Sequence, residues 1–146
     1  MSKSDVERDF PAMIGMEYEL SDEDFNYNCL AYALGDRSNW WEPPKGPGQY
    51  WPPGYPNDVS LETVESIIKD HGFTVDSDTT RTPETDAVAI YAEGNERTHF
   101  AKFSTGFWSC KLGEGHDVVG VPLEPFEGAL YGKLVKVLSR PKALPK

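Results

Sequence analysis

Cys29 and His99 are the residues of this sequence best placed to do chemistry. Cys29 opens the apolar run Cys29-Leu30-Ala31-Tyr32-Ala33-Leu34, which reads as a helix, and His99 lies at the start of an alternating run that reads as a strand. A thiol at a helix N-terminus has its thiolate favoured by the helix dipole. A neighbouring imidazole is a suitable base for it. Such a pair predicts attack on a carbonyl, with an acyl-enzyme that ends in hydrolysis, deamidation or transfer. The oxyanion would need donors. The Cys29 N–H and the amide of Asn26 or Asn28 are the candidates, with Asn26 preferred because Asn28 is placed to cap the helix. A third group should orient the imidazole. Asp117 follows His99 by a strand and a turn, and Ser109 and His116 are the alternatives. Each residue also has a plainer reading: Cys29 as a small core side chain, His99 as a satisfied strand histidine, Asp117 as a surface carboxylate.

The elements that would position these groups can be read from periodicity. Ser21-Asp22-Glu23-Asp24 signals a helix start, and the helix is expected from near Asn26 to Leu34, stopped by Gly35. Ser60 caps a second helix with the stripe Leu61, Val64, Ile67 and Ile68, ended by His71 and Gly72. A short strand at 73–75 and a polar loop at 76–86 follow. Strands are then expected at 87–92, 98–104, 107–112, 117–121 and 131–138, separated by turns at Glu93-Gly94-Asn95-Glu96 and Gly113 to Gly115. In the second of these, His99, Ala101 and Phe103 share one face, and Phe100 and Lys102 the other. Residues 1–20 show weak periodicity, and 141–146 read as a tail. Helices followed by an antiparallel sheet make an α+β class, expected as one domain over 1–146. No internal repeat or low-complexity tract is present.

Between the two helices, residues 40–56 carry Trp40, Trp41, Trp51, Tyr50, Tyr55 and six of the twelve prolines. So many prolines exclude a helix or a central strand, and the aromatic content excludes a disordered linker. The segment is either a loop whose aromatics plug the core or an aromatic rim along a substrate groove.

Composition narrows the function classes. The formal net charge is −10, which argues against nucleic acid and anionic membrane surfaces as partners and leaves room for a basic protein partner. No stretch reaches the length of a membrane span, and the polar start Met1-Ser2-Lys3-Ser4-Asp5 lacks a signal core, so a cytoplasmic location, or export without a cleaved signal, is the expectation. The two cysteines, Cys29 and Cys110, leave a single disulfide open. No spacing suits a metal, and no glycine-rich loop suits a nucleotide, so no metal and no cofactor are expected.

Two stretches resemble an uncharacterised bacterial domain family. One is Asn26-Tyr27-Asn28-Cys29-Leu30-Ala31-Tyr32-Ala33-Leu34-Gly35-Asp36 with Trp40-Trp41 and Tyr50-Trp51-Pro52 after it. The other is Thr98-His99-Phe100-Ala101-Lys102, then Gly106-Phe107-Trp108-Ser109-Cys110-Lys111-Leu112-Gly113 and a closing Glu127-Gly128 with Tyr131-Gly132. At superfamily level the chain order of cysteine then histidine resembles papain-like hydrolases, including cell-wall endopeptidases and transglutaminase-like enzymes. That resemblance implies a helix carrying Cys29 packed on a sheet carrying His99. The acidic position that follows the histidine in transglutaminase-like proteins falls here near Cys110 and Lys111, with Asp117 further on.

The expectation is therefore a cysteine hydrolase or acyltransferase acting on an amide or peptide bond. Its site would be Cys29, His99 and Asp117, with Asn26 and Asn28 at the oxyanion and Trp40, Trp41, Trp51 and Trp108 lining the substrate. The alternatives are an inactive papain-like scaffold that binds a peptide or protein partner, and a toxin or immunity-type protein. The oligomeric state is left open.

Overall fold

The computed structural model describes residues 3–21, 26–36, 38–41, 49–56, 58, 60–76, 85–104, 106–112, 117–120, 123, 126–128 and 131–141. Its centre is a seven-stranded sheet in the order β1-β8-β7-β6-β5-β9-β4. The strands are β1 (Glu19–Leu20), β4 (Thr74–Asp76), β5 (Thr85–Glu93), β6 (Glu96–Ser104), β7 (Phe107–Lys111), β8 (Asp117–Val119) and β9 (Lys133–Pro141). Each neighbouring pair is antiparallel. The helices are α1 (Lys3–Asp9), α2 (Cys29–Ala33) and α3 (Leu61–Asp70), with a 3-10 turn at Pro11–Met13. The molecule is a sheet-dominated α+β protein. None of its described helices is long and apolar enough to cross a membrane.

Strand alternation divides the sheet into two faces. On one face Ala87, Ala89, Tyr91, Ala101, Phe103, Cys110 and Val118 pack with Val6, Phe10 and Met13 from the N-terminal segment and with Phe126. On the other, Val88, Ile90, Phe100 and Leu138 pack with Leu30, Ala31 and Tyr32 of α2 and Val64, Ile67 and Ile68 of α3. The sheet is thus covered on both sides, and Val6, Phe10 and Met13, from a stretch of weak periodicity, supply part of one cover. Val6, Phe10 and Met13 have helical spacing, but Pro11 has no N–H to donate and splits the segment into α1 and the 3-10 turn.

α3 forms where its stripe predicts, with the Ser60 hydroxyl accepting from the Thr63 N–H at 3.3 Å. α2 is shorter than expected and begins at Cys29. Gly35 follows it at φ +84°, as the stop requires. Trp40–Trp41 (β2) and Gln49–Tyr50 (β3) pair in parallel as a separate two-stranded ladder. The last strand begins at Lys133 and includes Pro141, which was expected in the tail. Most of the expected loop at 76–86, the Gly113 to Gly115 turn and the remaining tail lie outside the described residues.

Candidate functional site around Cys29

α2 owes its position to Asn28. This side chain caps the helix, accepting from the Ala31 N–H at 3.1 Å, and also accepts from the Trp41 N–H at 3.2 Å. Its amide donates to the Trp41 carbonyl at 2.7 Å. The Asn28 oxygen and one of its two amide N–H groups thus hold α2 and Trp41 in place. Asn26 is exposed. Cys29 is half-buried at the first helical position and packs against the α2–α3 cluster, and both cysteines are free thiols, so they form no disulfide.

Below α2 the sheet presents a set of polar side chains. β6 and β7 place Lys102 opposite Ser109, and β7 and β8 place Lys111 opposite Asp117. The Tyr27 hydroxyl donates to the Asp117 carboxylate, 2.9 Å from both oxygens. The Tyr32 hydroxyl donates to Ser109 Oγ at 2.9 Å. Lys102 Nζ stands 4.1 Å from the Tyr32 ring centre, and Lys111 Nζ 5.1 Å from that of Tyr27. Lys111 is fully buried, at 0% exposure, so the face of the Tyr27 ring replaces part of the ammonium's hydration. Sequence reasoning missed Tyr27, Tyr32, Lys102 and Lys111 and weighed Ser109 only as an orienter. Their available signal is the i, i+2 spacing of Ser109 and Lys111, which fixes a shared strand face.

His99 is on the other face. Its ring stacks on Tyr131, with centres 3.9 Å apart and planes 3° apart, and meets Tyr91 edge-on at 5.5 Å. Phe126 lies 6.1 Å away. Nε2 is buried with no hydrogen-bond partner among the described residues. Burial lowers the His99 pKa from 6.5 to about 3, which keeps the ring neutral. Cys29 and His99 thus belong to clusters on opposite faces of the sheet, although the Cys29 charge reaches Tyr131, the ring on which His99 stacks, and adds to burial in raising its pKa. Asp117, held by Tyr27 on the α2 face, is likewise on the far side of the sheet from the imidazole it was expected to orient. Cys110, beside Ala101 in the β6–β7 ladder on the His99 face, has its thiol pKa pushed up by burial first and then by Cys29 and Asp117. His116 lies outside the described residues.

The aromatic residues divide similarly. Trp41 and Trp51 are buried in the α2–α3 core. The Trp41 indole donates to Asp36 at 2.8 Å, and the Trp51 indole to the Pro56 carbonyl at 2.9 Å. Burial opposes ionisation of Asp36, but donors from Trp41, Ser38 and Asn39 prevail and lower its pKa. Tyr55 donates to Asp70 of α3. Trp41 and Trp51 are thus core plugs. Trp40 is half-buried on β2, and Trp108 packs edge-on against Phe103 on the His99 face, with ring centres 5.4 Å apart.

A family model described as "Domain of unknown function (DUF7689)" matches residues 18–139. No curated protein and no solved structure matches the chain.

Proposed function

We propose that this chain, which belongs to the DUF7689 domain family, acts as a protein-binding module and not as a Cys–His hydrolase. The observation that carries this reading is the division of the motif between two sheet faces: Cys29 packs with the α2–α3 core, while His99 stacks on Tyr131 in the opposite core. A nucleophile and its base must come within hydrogen-bond reach, and here the two side chains pack in clusters on opposite faces of the sheet. A neutral imidazole with a pKa of about 3 is also a poor proton acceptor near neutrality. On this reading the relation to papain-like enzymes is one of chain order, and the scaffold binds a peptide or protein. The net charge of −10 suits a basic partner.

A second reading, amide or peptide acyl chemistry at Cys29 without His99, is favoured by one observation. Cys29 is half-buried next to Asn28 on the face where Tyr27 holds Asp117 and lies beneath Lys111.

Iodoacetamide alkylation of Cys29, followed by mass spectrometry from roughly pH 5 to 9, tests the proposal. The expected result is one pH profile shared by wild type and His99→Phe, with no labelling by a thiol-directed acyl probe. A profile that moves when His99 is replaced overturns it. Acyl labelling that persists in His99→Phe and is lost in Cys29→Ala supports the second reading.

A further inference from the structure

We propose that the corner of the sheet where β1, β7 and β8 meet is a docking groove for an extended, basic segment of a partner protein. The inference rests on the binding-module reading and gives that module a surface and a partner chemistry.

Alternation along β7 puts Phe107, Ser109 and Lys111 on the α2 face. Ser109 and Lys111 are buried there, but Phe107 is left 59% exposed. Val119 pairs with Ser109 in the β7–β8 ladder and with Glu19 of β1, and so continues the same face outward. Met16, at 38% exposure, and Ile14, at 67%, lie on the chain that leads into β1. Met16, Phe107 and Val119, with Glu17 and Glu19, line a groove of about 510 Å³. Isolated exposed apolar side chains are ordinary, but a group of them bordering one concavity marks an interaction site.

Charge and backbone select the occupant. Among the described residues, those lining the groove include two exposed carboxylates and no cation. A second copy of a chain with a net charge of −10 would be repelled here. A segment alternating lysine or arginine with large apolar residues would place cations against Glu17 and Glu19 and an apolar anchor beside Phe107. Among the described strands β1 is terminal in the sheet, so its outer edge can accept such a segment as an added strand. Met16 and Glu17 precede the span shared with the family, whereas Phe107 and Val119 fall inside it, so the groove joins an N-terminal segment to the family core.

The test uses the full chain and a short fluorescein-labelled peptide that alternates lysine with valine and phenylalanine. The same peptide with glutamate in place of lysine is the control. Anisotropy titration should detect binding of the lysine peptide alone. The double variant Glu17→Lys/Glu19→Lys, and separately Phe107→Ser, should each weaken it at least about tenfold. Amide NMR shifts should centre on Phe107, Val119 and Gly120. These side chains are exposed, so both variants should keep the wild-type melting temperature; if Phe107→Ser does not, the charge reversal alone decides. No binding of the lysine peptide to wild type, binding unchanged in the variants, or shifts centred elsewhere overturns the groove. Any of these results, with a Cys29 profile still independent of His99, leaves the binding-module reading standing. A His99-dependent profile removes that reading whatever the peptide does.

Discussion

Replacing His99 with phenylalanine distinguishes a sealed structural histidine from a working base. In the folded chain the ring is buried, stacked 3.9 Å from Tyr131, and its pKa falls from 6.5 to about 3. The unfolded chain returns it to its ordinary value. The folded state therefore binds fewer protons than the unfolded state through this window. The stability tied to His99 is complete above 6.5 and is lost as the pH falls toward 3. The slope is about 1.4 kcal/mol per pH unit, which gives a loss of roughly 2 kcal/mol by about pH 5 and roughly 5 kcal/mol across the window. Phenylalanine keeps a flat ring against Tyr131 and Tyr91 and carries no proton. Carboxylates titrate in the same range, so the informative quantity is the difference between the two proteins. Urea unfolding should give stabilities within about 1 kcal/mol of each other at about pH 7.5. By about pH 5 the wild type should have lost roughly 2 kcal/mol more than His99→Phe. Parallel losses in the two proteins would refute the reasoning, because the fold would then admit a proton to His99 at no cost.

Two further substitutions probe the frame around the site. Gly132 has φ +71°, and a Cβ there would lie 2.2 Å from the Ala92 carbonyl oxygen; Gly132→Ala should cost about 2–4 kcal/mol by calorimetry, and an unchanged melting temperature would mean that the end of β5 yields freely. Asn28→Ala removes the α2 cap and both bonds to Trp41; a loss of about 2–4 kcal/mol is expected in urea followed by tryptophan fluorescence, and a loss below about 0.5 kcal/mol would show that packing alone holds α2.

What could be read from the sequence was local. Val64, Ile67 and Ile68 at helical spacing gave α3, and β-formers on either side of Gly94-Asn95 gave the β5–β6 hairpin. The alternation of His99, Ala101 and Phe103 against Phe100 and Lys102 was equally plain. Which of those faces a remote helix covers is a tertiary fact. Leu30 and Tyr32 pack in the cluster that holds Phe100, and that choice separates Cys29 from His99. Lys111 was unreadable for a related reason. A lysine in a strand implies solvent, yet this one is buried with its ammonium over Tyr27, a residue 84 positions earlier in the chain. Asn28 was a correct capping signal, but its second task of holding Trp41 depends on a ladder no local pattern announces.

The cover over His99 shows how far its chemistry is set from outside the motif. The span shared with the family begins at Tyr18, and it supplies Tyr91, His99, Phe126 and Tyr131. Phe10 comes from before that span. It stacks on Tyr131 at 5.4 Å and meets Phe126 edge-on at 4.9 Å. Val6 and Met13 fill the same core. The low pKa of His99 arises from desolvation alone, so it depends on every group that keeps water out, including the N-terminal segment. The neutrality of His99 is therefore a property of the packed face as a whole. It would be lost by loosening α1 and the 3-10 turn even with each residue of the Thr98-His99 motif left in place.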